Sequence, residues 1–282
     1  MPIIENEYLK VEASLLGGEL LHVIDKENNQ ELLYQANEVW PHHDVILFPF
    51  IGPDSSYQID GRKYSCPTQH GFIRTSRFEL VEEKENKLVM EFHDNEKTFE
   101  SYPFHFVLRA IYSLENRTLK REYEIINQNE EELPFQLGDH AAYQVKFGEA
   151  ILHLGEGNIF FYPRKNLAFS AQPISFLRDK NYLLNKKDFA EFETILIEKP
   201  RNELVLDTGL GYLLTYHFPS PYIAIWSPSK ESSFLCIEPW WGMAIYEGRD
   251  EEMRNWKDIN SISHQAHFEE SITFSKKAEW RS

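Results

Sequence analysis

An antiparallel all-β sandwich is the fold that the sequence predicts, and three observations carry the prediction. Apolar and polar residues alternate with a period of two over many short segments. Turn-forming residues separate those segments at intervals of about ten residues, the spacing of a large sandwich or barrel. Aromatic residues make up 14% of the chain, with 20 Phe, 14 Tyr and 6 Trp. That richness suits a β-dominated core or a carbohydrate-binding face and argues against disorder or a coiled coil.

Along the chain, Asp44–Phe50 (DVILFPF) is a continuous apolar run of strand length, expected to be buried on both faces and made less regular by Pro49. Residues 77–82 and 87–93 read as paired strands around a turn at 83–86. The next pair is the clearest. His105–Leu114 (HFVLRAIYSL) leads through Glu115-Asn116-Arg117 into a segment where Leu119, Arg121, Tyr123 and Ile125 alternate with Lys120, Glu122, Glu124 and Ile126. Another pair, 203–206 and 212–218, is joined by Asp207-Thr208-Gly209-Leu210-Gly211, where glycine supplies positive φ cheaply. Helical signals are few. Met253, Trp256 and Ile259 share a spacing of three, enough for two or three turns over 250–259. Residues 181–192 fit a short helix or irregular chain. With no internal repeat, low-complexity tract or linker, residues 1–282 are expected to form a single domain.

Charge narrows the partners. The chain of 282 residues carries 29 Lys plus Arg against 45 Asp plus Glu, a net charge of −16. Such a surface repels a phosphate backbone, so no nucleic-acid partner is expected. No apolar run approaches the roughly 18–20 residues of a membrane helix. The N-terminus (MPIIENE) is acidic where a signal peptide would be basic and then apolar. Cys66 and Cys236 have no metal or redox spacing and make no disulfide framework. These features predict a soluble, cytoplasmic protein without a membrane partner.

Three segments could carry chemistry. In Gln69-His70-Gly71-Phe72-Ile73-Arg74, an imidazole and a guanidinium four residues apart share one face if the chain is extended. They could then hydrogen-bond neighbouring hydroxyls of one ligand; the bland alternative is a turn with a satisfied core histidine. In Phe135–Tyr143, His140 ends an apolar stretch among small residues, where it could exchange a proton near neutral pH. A surface loop histidine is the competing reading. Asp139, its neighbour, would point to the other face of a strand. In Phe234-Leu235-Cys236-Ile237-Glu238-Pro239-Trp240-Trp241-Gly242, a carboxylate follows four apolar residues. Burial would raise the pKa of Glu238 towards the range useful for proton transfer, and the adjacent tryptophans offer flat faces for a sugar ring. The alternative is a buried glutamate paired with an arginine. Elsewhere, His42-His43-Asp44 hints at a metal, but adjacent histidines on a strand face opposite ways and no third ligand is marked. No metal is expected. Asp188 and Arg62-Lys63 read as solvated charges.

Together these segments resemble the aldose 1-epimerase (galactose mutarotase) family, above all its LacX-like branch. The likeness runs from a strand pattern at Ile3–Asp25 through ILFPFIG (46–52), QHGFIR (69–74), LGDHAAY (137–143) and YIAIWSP (222–228) to IEPWWG (237–242). The resemblance implies a single-domain antiparallel super-sandwich with an open sugar groove. It implies catalysis by Glu238 as general base and His140 as general acid. It also implies sugar binding by His70, Arg74, Asp188 and Trp240, with no cofactor. Interconverting α and β anomers takes one acid and one base on the two oxygens of the anomeric carbon. The pattern departs from the family where Pro53-Asp54 follows Gly52, and where Gly138-Asp139-His140-Ala141 stands in place of Gly-Gly-His-Pro; both departures are expected beside the groove. Three other readings share these residues. The substrate could be a hexose 6-phosphate, with Arg74, Arg62, Lys63 or Arg164 as its anchor. The groove could serve a non-catalytic sugar sensor. Or the chain could be the sandwich part of a glycoside-processing enzyme, for which no second carboxylate stands out. A homodimer through exposed strands is left open.

Overall fold

A computed structural model describes residues 1–53, 56–66, 68–155, 159–175, 180–198, 202–228 and 232–278. Among these residues, every pairing between strands is antiparallel. Two large sheets dominate, one of 11 strands and one of 9. The larger sheet has at its centre Asp44–Leu47, Leu137–Gln144, Phe234–Trp241 and Tyr222–Trp226, hydrogen-bonded side by side in that order. The smaller sheet is centred on Tyr212–His217, Gln265–Lys276, Thr118–Asn127 and Phe106–Glu115.

Thr118–Asn127 realises the alternation read from the sequence. Leu119, Arg121, Tyr123 and Ile125 are buried while their neighbours are half-exposed. The strands of the larger sheet's centre are buried on both faces, as Asp44–Leu47 was expected to be. Its regular part stops at Leu47, ahead of the cis Phe48–Pro49 bond. Two expectations need correction. Residues 250–259 form only a 3-10 turn at Met253–Asn255, since Met253 and Trp256 reach the core from a turn without a helix behind them. Residues 181–192 divide into a strand, Asn181–Leu183, and a helix, Lys186–Phe192, capped by the Asn185 side chain on the Lys187 N–H. The helix Glu96–Ser101 carries a capping box from Asn95 and Thr98.

The sheets meet through one apolar core crossed by a line of polar contacts. Tyr112 donates to the carbonyl of Gly18 at 2.7 Å, Tyr123 to Asp139 at 2.5 Å and Tyr216 to the hydroxyl of Tyr143 at 2.5 Å. Arg121, fully buried, pairs with Asp44 of the opposite sheet and with Glu270 of the neighbouring strand. Burial pushes the Asp44 carboxyl up to about 7 against the pull of Arg121, and raises that of Glu270 as well. One guanidinium thus serves two buried carboxyl groups, Asp44 and Glu270, whose acid forms burial favours while Arg121 pulls both towards ionisation. Breaking this cluster from the cationic side is expected to be costly. Arg121→Met should lower the unfolding free energy by about 3–5 kcal/mol in urea titrations, the usual penalty for stranding buried charges.

Candidate active site

The strand pairing of the larger sheet brings two of the predicted residues together. Gly138 lies across from Trp240 and Ala141 from Ile237, so the same register sets His140 across from Glu238. Their side chains meet with His140 Nε2 3.2 Å from Glu238 Oε1, both almost wholly buried. Alternation turns Cys236, Glu238 and Trp240 to this face and sends Leu235, Ile237 and Trp241 into the core between the sheets. Gly138 is needed for the close approach, because a Cβ there would lie 2.8 Å from Trp240 Cδ1.

The pair opens onto a cavity of about 290 Å³. Three tryptophans line it. Trp40 stacks on the His140 ring at 4.3 Å and 19°, Trp226 meets that ring edge-on at 5.9 Å, and Trp240 adjoins Glu238. The Nε1 atoms of Trp40 and Trp240 are buried without a well-formed hydrogen bond. His70 closes another side, its ring perpendicular to that of His140 at 5.7 Å. The Gly52 N–H donates to His70 Nδ1 at 3.1 Å, so the neutral ring carries its proton on Nε2, and at the 3.0 Å contact with the Gln69 side-chain amide it is the amide oxygen that must accept.

Burial governs the electrostatics. It raises the Glu238 carboxyl well above its usual 4.5, while the Trp240 indole N–H and Arg164 favour the ionised form. It lowers His140 well below 6.5, with His70 and Arg74 adding to the effect. His70 falls to about 3, through burial and the nearby charges of Arg74 and Arg164, and is a neutral donor at physiological pH. A proton shared between Glu238 and His140 thus favours the uncharged arrangement, glutamic acid beside neutral imidazole.

Other predicted residues go elsewhere. Arg74 does not line the cavity. The segment is not extended: His70 and Gly71 take positive φ of 61° and 75°, and a 3-10 turn at Ile73–Thr75 follows. Its charge still acts on both histidines. Asp188, on the helix Lys186–Phe192, accepts from Tyr182 at 2.6 Å and lines a separate depression. Trp240 is in the cavity wall as expected. Of the departures from the family pattern, Pro53 lines the cavity and Asp54 lies outside the described residues. Asp139 and Ala141 face the other sheet, away from the groove beside which they were expected. His42 and His43, expected to face opposite ways, both turn to Glu19, at 3.9 and 2.9 Å, because the chain there is not a regular strand, while Asp44 pairs with Arg121. A donor set does exist at the site itself: one ligand atom each from His140, Cys236 and Glu238 lie within 4.8 Å of one another. A metal held there would occupy the same two side chains that meet at 3.2 Å. Both cysteines are free and buried.

Sequence reasoning missed Trp40, which sits in an irregular stretch without a local pattern, and gave no role to Trp226 or Thr194. Trp226 had a usable signal, an aromatic ending a strand whose neighbour carries Glu238.

A buried histidine–glutamate pair on the central strands of a mutarotase-type super-sandwich is the arrangement this chain has, and the chain belongs to the aldose 1-epimerase family, whose model matches residues 3–244. Within that family it is LacX-like. It is 28% identical to the chromosomal LacX protein of Lactococcus lactis over 265 residues, 86% of this chain and 87% of that one. A galactose mutarotase related enzyme from Lactobacillus acidophilus has the same fold, with a TM-score of 0.91 at 24% identity over 97% of each chain. A galactose 1-epimerase from the same species shares it at a TM-score of 0.77 and 10% identity, over 97% of this chain and 93% of that one. No helix among the described residues is long and apolar enough to cross a membrane.

The turn that presents His70 depends on Gly71, whose Cβ would fall 1.9 Å from the Phe48 carbonyl oxygen. Gly71→Ala should therefore lose about 3 kcal/mol or more of stability in thermal or urea unfolding, from combined overpacking and positive φ.

Proposed function

We propose that the protein is an aldose 1-epimerase that interconverts the α and β anomers of a hexose, with Glu238 as base and His140 as acid. The 3.2 Å contact between His140 Nε2 and Glu238 Oε1, inside a tryptophan-lined cavity, carries this reading. Two proton-exchanging groups that close can serve two oxygens bonded to the same carbon. Glu238 takes the proton of the anomeric hydroxyl, and the electrons left behind form the C1 carbonyl. The bond from C1 to the ring oxygen breaks, and His140 protonates that oxygen. Rotation about C1–C2 and the reverse steps close the ring on the other face. His70, as a neutral donor, and the indole faces hold the sugar in place. No part of this cycle calls for a cofactor.

The pair performs the step when it is an ion pair, carboxylate beside imidazolium, and ends it as acid beside neutral imidazole. Both forms hold the same number of protons, so activity requires one shared proton in all. Adding a second is opposed by the burial of His140, and removing the first by the burial of Glu238. The kcat/KM profile should therefore have its acid limb well below 6.5, the ordinary histidine value, and its alkaline limb well above 4.5, the ordinary glutamate value. An acid limb at or above the first value, or an alkaline limb at or below the second, would contradict the assignment.

Optical rotation of freshly dissolved α-D-glucose and α-D-galactose tests the activity. The protein should speed the relaxation, and Glu238→Gln should slow it by about 10²–10⁴-fold while the fold is retained. Calorimetric sugar binding without any acceleration would make the protein a sugar-binding member of the family instead.

A further inference from the structure

The indole of Trp40 lies face to face on the ring of His140, and irregular chain puts it there. That chain is nevertheless tightly built. The Asn37 side chain accepts from the N–H groups of Val39 at 2.8 Å and Trp40 at 3.1 Å, and the Asn37 N–H donates to the Trp40 carbonyl at 3.0 Å. Both ends of the loop are fastened to one residue of the strand Leu137–Gln144. The Tyr34 N–H donates to the Ala142 carbonyl, and the Ala142 N–H to the His43 carbonyl, each at 2.8 Å. Glu19 adds a hold on the outgoing end, accepting from the His43 N–H at 2.7 Å. The strand that carries His140 therefore also fixes the loop that carries Trp40.

The charges around His140 show what such a partner does. To act as acid this histidine must carry a proton, yet its surroundings oppose the cation. Burial leads, followed by His70, Arg74 and His42. His42 stands 3.9 Å from Glu19, and burial holds Cys236, on the cavity face, as a thiol. Among the described residues, Glu238 is the one carboxylate that pairs with His140. In the proposed cycle it loses its charge as it takes the substrate's proton. An aromatic face can supply what is then missing. It attracts a cation within about 6 Å of the ring centre, tryptophan most strongly, and more so where water is excluded. Trp40 meets that geometry at 4.3 Å and 19°. Trp226 and His70 stand steeply to the imidazole, at 68° and 85°.

We propose, resting on the epimerase reading above, that Trp40 is a positioning residue for His140, its indole face stabilising the imidazolium through which that histidine acts as acid.

Two variants grade the interaction: Trp40→Phe keeps a weaker face, and Trp40→Leu keeps apolar bulk without one. Their kcat/KM should fall by about 3-fold and about 10-fold, in kcat rather than KM. The acid limb of the profile should move to lower pH in the same order, because a second proton is then harder to add to the pair. A role in packing alone has the opposite sign. Water admitted by a smaller side chain relieves the burial that depresses His140, and the limb rises towards 6.5. Fluorinated tryptophan weakens the face at nearly constant shape, and should slow the wild type more than it slows Trp40→Phe. NMR of isotope-labelled histidine at neutral pH reads the same effect without turnover. The imidazolium fraction of His140 should fall from wild type to Trp40→Phe to Trp40→Leu. An unchanged or larger fraction would overturn the proposal, as would an acid limb that rises in both variants or a loss confined to KM. An inactive wild type would refute the epimerase reading, while the NMR measurement still decides whether Trp40 favours the cation.

Discussion

Antiparallel pairing of Leu137–Gln144 with Phe234–Trp241 is the constraint on which the other features depend. The side-chain period of a strand is two, so one register fixes the facing of every residue on both strands. In the register observed, His140, Cys236, Glu238 and Trp240 share the cavity face, while Asp139, Ala141, Tyr143 and Ile237 face the second sheet. A slip of one residue would bury the histidine between the sheets and turn Asp139 towards the cavity. Contacts from behind hold the register: Tyr123 on Asp139, Tyr216 on Tyr143, and Arg121 on Asp44 of the adjoining strand. The polar contacts of the core thus lie directly beneath the cavity and tie its floor to the other sheet.

Placing ionisable groups on central strands has an energetic consequence. At a sheet centre there is little water to solvate charge, so Glu238 is driven towards its acid form and His140 towards its neutral form. The same dryness strengthens any interaction with charge that develops on a bound ring. Trp240 and Arg164 supply fixed dipole and charge on the carboxylate side, so the ionised form of Glu238 is opposed by burial and supported by its neighbours. The sheet therefore provides the rigid part of the site. The adjustable part is contributed by turns and a helix end at the rim, where Leu167 and Glu193 adopt backbone conformations that regular structure would not supply.

Much of the fold was legible because alternation is a local property. The residues from 105 to 126 announce their strands and turn by pattern alone, and the hairpin forms with Asn116 at positive φ in its turn. Glu238 and His140 were legible as polar residues in apolar surroundings, and their meeting follows from a strand pairing that lies 98 residues apart in sequence (238 − 140). Spacing misled where extended chain was assumed. His70 and Arg74 diverge because His70 and Gly71 both take positive φ and Arg74 itself sits in a 3-10 turn. Asp188 was placed by likeness alone, and its helix carries it to a different depression. Trp40 and the pairing of Arg164 with Glu193 left no trace in any period, because irregular chain positions them through tertiary contacts. Met253, Trp256 and Ile259 imitated a helix in the region 250–259 because a turn can deliver Met253 and Trp256 to the core equally well.

Three of the protein's six tryptophans stand around one small cavity, and Trp40 is stacked face to face on the His140 ring. Indole emission responds to displacement of nearby water and is quenched by a neighbouring imidazolium. Occupancy of the cavity and the protonation of its histidine are therefore written into the protein's own ultraviolet fluorescence. Trp241 and Trp256, packed in the core, supply a steady background against which that signal is read.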